Sequence, residues 1–139
     1  MFAFCEKIIY IDLSSFDSSQ IIDIKFMFMG CSNLETINLS NFYSWNINNM
    51  KYIFFKCKNL KNLDLSSFEI PNVINMEWML FDCNNLETIN ISNMEIQNVT
   101  NIDAIFFKCN NLKTIKIEDN YSKIIIKERL FTRNTNIIS

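Results

Sequence analysis

Apolar and polar positions recur along this chain with a fixed beat. Cys5, Cys31, Cys57, Cys83 and Cys109 stand 26 residues apart, and the residues between them keep the same register without an insertion. Three residues after each cysteine come Ile8, Leu34, Leu60, Leu86 and Leu112; six after come Ile11, Ile37, Leu63, Ile89 and Ile115. Eight after stand Leu13, Leu39, Leu65, Ile91 and Ile117, and eleven after stand Phe16, Phe42, Phe68 and Met94. The stretch before the next cysteine is strongly apolar, as in Met27-Phe28-Met29, Ile53-Phe54-Phe55 and Met79-Leu80-Phe81.

Within one unit, Leu60 to Ser66 ends in an apolar–polar alternation, the period-2 mark of a half-buried strand. From Asn72 to Cys83 the residues Val73, Met76, Met79, Leu80 and Cys83 fall at spacings near three and four. That spacing predicts a short helix or helical turns, with Asn72 as its N-cap. A strand that meets its own copy one unit later must pair in parallel through a crossover. The expected fold is an α/β solenoid, leucine-rich-repeat-like, with a parallel sheet on one face and short helices or helical turns on the other. It forms one domain over residues 1–139, with 118–139 as a degenerate last unit or tail in which Ile124-Ile125-Ile126 adds a covering strand.

Composition narrows the chemistry. The chain is 49% apolar and carries one Gly, one Pro and no His. Without histidine, Ser-His-Asp and Cys-His machinery and most zinc sites are excluded, and a lone Gly30 excludes glycine-rich phosphate loops. A net charge of −2 leaves no surplus of Lys and Arg for phosphates, so no nucleic-acid partner is expected. No apolar run is long enough to span a bilayer, so no membrane insertion is expected. No enzyme activity, cofactor or metal is expected. Residues 113–139 hold six basic and three acidic residues against seven and twelve before them, a shift that accompanies the fading repeat. The cysteine column reads as a stacked ladder of buried free thiols, because side-by-side Cβ vectors on neighbouring units make poor disulfide geometry.

The outward strand positions form the candidate binding face: Tyr10, Asp12, Thr36, Asn38, Asn62, Asp64, Thr88, Asn90, Thr114 and Lys116. Together they make a flat polar ribbon on the side that solenoids commonly use for binding. Beside it Glu35, Lys61, Glu87 and Lys113 alternate in sign, so neighbours across the sheet are expected to pair. Asn33, Asn59, Asn85 and Asn111 predict a stacked asparagine ladder that satisfies loop backbone groups.

The unit Met-Phe-x-x-Cys-x-x-Leu-x-x-Ile/Leu-x-Leu-Ser-x-Phe, continuing through Asn72 to Met76, resembles the BspA-like leucine-rich-repeat surface proteins, in their 26-residue variety, from residue 1 to about 117. The resemblance implies a cell-surface or secreted protein used in adhesion and protein recognition, with a protein or surface ligand as partner. It departs from the pattern before each cysteine, where the usual Gly survives only as Gly30 and Phe4, Lys56, Asp82 and Lys108 stand in its place. The residues before Cys5 carry no basic start or apolar core of a signal peptide. Met1 falls at the station of Met27, so the expectation is a piece of a longer array or an end covered by a partner. The competing expectation is a structural spacer or a self-associating fragment of a larger repeat array, joined end to end.

Overall fold

Each unit contributes one strand of three residues in the computed structural model of the protein, which describes residues 1–129 and 135–139. These are β1 (Tyr10–Asp12), β2 (Thr36–Asn38), β3 (Asn62–Asp64), β4 (Thr88–Asn90) and β5 (Thr114–Lys116). All pairings are parallel, and partners are counterparts in successive units, as with Tyr10 opposite Thr36 and Asn62 opposite Thr88. The central residues Ile11, Leu63, Ile89 and Ile115 are buried, whereas their neighbours point outward, as the pleat requires. The sheet is interrupted once: β1 and β2 form one pair, and β3, β4 and β5 belong to a second sheet of four strands. At the joint, Lys61 N–H reaches Glu35 C=O only at 3.4 Å. Elsewhere in the unit, isolated parallel bridges join Tyr43 to Glu69, Asn49 to Asn75 and Asn75 to Asn101.

The side opposite the sheet is built from tight turns. Met27 N–H bonds to Ile24 C=O and Cys31 N–H to Phe28 C=O within the unit, while Phe28 and Gly30 N–H bond to Ile53 and Phe55 C=O of the next. The same alternation runs through Phe54 to Met79 and Lys56 to Phe81, then Leu80 to Ile105 and Asp82 to Phe107. A helix would use its N–H groups internally; these turns give half of them to the neighbouring unit, so stacking is itself backbone hydrogen bonding. The geometry requires left-handed backbone five residues before the cysteine, at Phe26, Tyr52, Trp78 and Ala104, and one residue before it, at Phe4, Gly30, Lys56, Asp82 and Lys108. For residues other than glycine that conformation costs about 1–2 kcal/mol each. The expected N-cap at Asn72 is therefore corrected: with no helix to cap, its Nδ2 donates to Trp45 C=O at 2.7 Å. Gly30 has a second reason to be glycine, since a Cβ there would lie 2.6 Å from the ring of Phe4.

Between the two walls lies a core of stacked columns. Phe2, Phe28 and Phe54 stack with ring centroids 5.6 and 5.3 Å apart, and Phe42 stacks on Phe68 at 4.7 Å. Phe16 shares the repeat station of Phe42 but is 37% exposed. The five cysteines are free thiols. The Sγ atoms of Cys31, Cys57, Cys83 and Cys109 donate to the carbonyls of Phe2, Phe28, Phe54 and Leu80 at 3.0–3.1 Å. Burial pushes these thiols up, Cys109 to about 12 and Cys83 well above the ordinary value. A ladder of protonated, hydrogen-bonded thiols results.

The last unit departs from expectation at Ile124-Ile125-Ile126. These residues lie in a helix, α1 (Asn120–Arg129), not a strand. Asp119 Oδ1 accepts Ser122 N–H at 2.7 Å at the helix start, and Ser122 and Ile126, four apart on one face, are buried. The covering strand comes instead from β6 (Asn136–Ile138), which pairs with β5 and places Ile137 opposite Ile115. Within the expected tail of 118–139, residues 130–134 lie outside the described residues.

Candidate functional site

Parallel register brings all ten candidate residues onto one face, in two rows that run across the strands. The row that starts each strand is Tyr10, Thr36, Asn62, Thr88 and Thr114; the row that ends it is Asp12, Asn38, Asp64, Asn90 and Lys116. The interruption between β2 and β3 divides the face, leaving Tyr10, Asp12, Thr36 and Asn38 on the first sheet. Over the second sheet lies a shallow depression of about 300 Å³, lined by Asn62, Asp64, Thr88, Asn90, Thr114, Lys116 and Ile138.

The two rows differ in what holds them. In the second row each oxygen is engaged by its own turn: Ser40, Ser66 and Ser92 each donate backbone N–H and hydroxyl to Asn38, Asp64 and Asn90 Oδ1 at 2.6–3.2 Å. Ser14 N–H likewise donates to Asp12 at 2.9 Å, and Tyr10 hydroxyl donates to its other oxygen at 2.9 Å. These are Asx turns that close the strand ends. Donation by Ser14, then by Tyr10, holds the Asp12 carboxyl at about 2, and the bond to Asp12 raises the Tyr10 phenol. For Asp64 burial opposes ionisation, yet Ser66 outweighs it and the carboxyl stays below its ordinary value. Of the first row, Tyr10 shares this duty, whereas Thr36, Asn62 and Thr88 do not. Thr36, Asn62 and Thr88 are exposed, and Thr88 Oγ1 donates to Asn62 Oδ1 at 2.7 Å.

The charged column is realised in part. Lys113 Nζ meets Glu87 Oε2 at 2.6 Å and lowers the Glu87 carboxyl, whereas Glu35 and Lys61 do not form an ion pair. Their strands are the two that fail to pair: the 26-residue register persists, with Lys61 N–H still reaching Glu35 C=O at 3.4 Å, but the two side chains do not meet. The asparagine ladder forms throughout: Asn33 Nδ2 donates to Glu6 C=O, Asn59 to Asn33 Oδ1, Asn85 to Asn59 Oδ1, and Asn111 to Asn84 C=O and Asn85 Oδ1.

Sequence reasoning missed an aromatic ridge on the turn side. Phe26 stacks on Tyr52 and Tyr52 meets Trp78, while Phe55, Phe81 and Phe107 form a second stack at 5.0 and 5.3 Å. The signal was present, since Phe26, Tyr52 and Trp78 each precede an apolar triplet, and Phe55, Phe81 and Phe107 each end one. Cations share these ring faces with neighbouring rings, Lys56 Nζ lying 5.3 Å over Phe55 and Lys108 Nζ 5.6 Å over Phe81. Lys51 sits over Tyr52 and pairs with Glu77 at 2.6 Å, lowering that carboxyl.

Among the described residues, no group of three or more His, Cys, Asp or Glu side chains is arranged to hold a metal ion. Among them also, no helix is long and apolar enough to cross a membrane. No curated protein and no solved structure matches the chain. A family model does, over residues 1–136, nearly the whole run of repeats and their closing strand; the chain belongs to the family described as Mycoplasma protein of unknown function, DUF285.

Proposed function

We propose that the protein is a non-enzymatic recognition module that binds a protein or surface ligand through its sheet face, the mode implied by its resemblance to BspA-like leucine-rich-repeat surface proteins. The supporting observation is the contrast between the two rows of that face. Asp12, Asn38, Asp64 and Asn90 are committed to Asx turns, whereas Thr36, Asn62 and Thr88 present hydroxyl and amide groups that the fold does not need. Such neutral groups shed water more cheaply than carboxylates or ammonium groups when a partner covers them. The depression over β3 to β6 offers a complementary surface a place to seat.

The test is attachment of fluorescently labelled protein to intact cultured cells and to immobilised extracellular-matrix proteins. Replacing Thr36, Asn62 and Thr88 together with Lys is expected to abolish attachment, and the same load at the exposed Ile22, Asn48 and Ile74 is expected to leave it intact. Loss of attachment in both variants would point to charge alone and defeat the reading. The competing reading, a self-associating spacer, is separated by light scattering: mass rising with concentration above the 16.5 kDa chain favours it.

A further inference from the structure

On the flank that follows the sheet, the units are not alike. Thirteen residues after the cysteine, the first two carry Ser18 and Ser44, both fully buried. Ser18 Oγ donates to Tyr43 C=O and accepts Tyr43 N–H, each at 2.8 Å, and Ser44 Oγ donates to Ile21 C=O at 2.6 Å. These bonds draw the neighbouring backbone against the wall. The next two units carry Ile70 and Ile96 at that station, which have no such bond to offer. There the wall opens into a cleft of about 220 Å³.

The floor of the cleft is apolar, formed by the buried side chains of Phe68, Val73, Met76 and Met94. Its rim carries Trp45, which is 70% exposed, and the exposed Glu69 and Glu95. Among the described residues neither carboxylate is hydrogen-bonded or ion-paired, and no Lys or Arg lines the cleft. An indole left in water beside an apolar hollow, with two carboxylates at its mouth that no described residue pairs, defines the complementary ligand by its chemistry.

We propose that this cleft binds a small organic cation whose nitrogen carries alkyl groups, a tertiary or quaternary ammonium. An anion is repelled by Glu69 and Glu95. A neutral apolar molecule fills the hollow but leaves both charges unanswered. A primary ammonium or guanidinium gives up water at N–H groups for which the floor side chains supply no oxygen acceptor. An alkylated ammonium has little to lose there: its methyl groups pack on Met76 and Met94, its charge faces the carboxylates, and the Trp45 ring attracts it. The site lies off the sheet face and is independent of the reading above.

Amide and indole NMR of the full chain tests this with three probes at constant ionic strength: choline, its uncharged isostere 3,3-dimethyl-1-butanol, and ethanolamine. Two indole signals report, from Trp45 and from Trp78, whose Nε1–H is held by Glu77 at 2.7 Å and serves as internal control. Choline is expected to shift the Trp45 signal saturably while Trp78 stays in place, with the isostere and ethanolamine each weaker by about fivefold or more. Glu69→Gln with Glu95→Gln is expected to weaken choline while leaving the isostere unchanged, the remaining preference for choline being the attraction of the Trp45 ring. Equal affinity for choline and the isostere reduces the cleft to an apolar hole, and equal affinity for ethanolamine removes the alkylation argument; either overturns the proposal. So does a titration that fails to saturate or that moves Trp78 instead. If the double variant does not fold, the three-probe comparison on the unchanged chain still decides.

Discussion

The sheet side and the turn side of each unit enclose the same core, yet they hold the array together differently. On the sheet side the strands are three residues long and their pairing lapses between β2 and β3. On the turn side every boundary is bonded by backbone, from Phe2 to Met27 through Phe28 to Ile53 and Phe54 to Met79 to Leu80 and Ile105. Beneath those turns lie the thiol ladder and the Phe2, Phe28, Phe54 stack. The turn side is thus the spine of the solenoid. The outward residues of the sheet side are left free to differ from unit to unit, which is what a recognition surface needs.

The largest expected effect breaks the spine. Phe54→Ala, at a fully buried ring, should lower unfolding free energy in urea by about 3–5 kcal/mol, while Phe16→Ala, at a ring partly in water, should lower it by about 1 kcal/mol. Similar losses at the two positions would erase the distinction between spine and periphery. Cys57→Ser comes next, at about 1–2 kcal/mol, because the shorter hydroxyl must reach the Phe28 carbonyl from a site made for sulfur. Intact-mass analysis should find Cys57 and Cys83 unalkylated in the native protein and both reactive after denaturation.

Acid sharpens the comparison from the other side. Asp12, Asp17, Asp64, Glu77 and Glu87 all lie below their ordinary values of 3.8 and 4.5 in the folded chain. The unfolded chain therefore takes up protons first as pH falls, and their stabilisation, complete above about pH 5, is lost towards pH 2. Asp12, Asp17 and Asp64 are exposed and Glu77 and Glu87 half-buried, so the melting temperature should decline gently, not collapse. A melting temperature that stays flat from pH 5 to pH 2 would contradict the Asx-turn account of the sheet face.

Ala104→Gly is a small change with a diagnostic sign. At φ 52° glycine relieves left-handed strain, and a net gain of about 0.5 kcal/mol is expected after the extra freedom of the unfolded chain is subtracted. In a helix the same substitution would cost about 1 kcal/mol. The smallest effect belongs to the sheet: lysines at Thr36, Asn62 and Thr88 should each change stability by no more than about 0.5 kcal/mol.

Strand positions, the parallel register, the thiol ladder and the asparagine ladder were legible in the sequence because each is a column, and a column repeats its evidence in every unit. The turn side was half legible. Spacings of three and four from Val73 to Cys83 mark burial on one face, which helix and turns share, and only the destination of the N–H groups separates them. The clue lay in Gly30, whose station is the left-handed one, but Phe4, Lys56, Asp82 and Lys108 at the same station hid it. Ile124 to Ile126 misled for the opposite reason: Ile125 keeps the station of Ile21, Ile47, Val73 and Val99, but the columns around it have faded to Glu118 and Asn120, so the repeat no longer decided between strand and helix. The cleft beside Trp45 was visible only as a change within a column, from Ser18 and Ser44 to Ile70 and Ile96. Its shape required the fold.

Native-state amide hydrogen exchange followed by NMR tests the division between spine and surface most directly. The N–H groups of Phe28, Phe54 and Leu80, bonded across unit boundaries at 2.9–3.1 Å, should be among the last to exchange. Lys61 N–H, at the joint between β2 and β3, should exchange at least about tenfold faster. If Lys61 and the strand amides outlast Phe28, Phe54 and Leu80, the sheet holds the array together and the turn side does not.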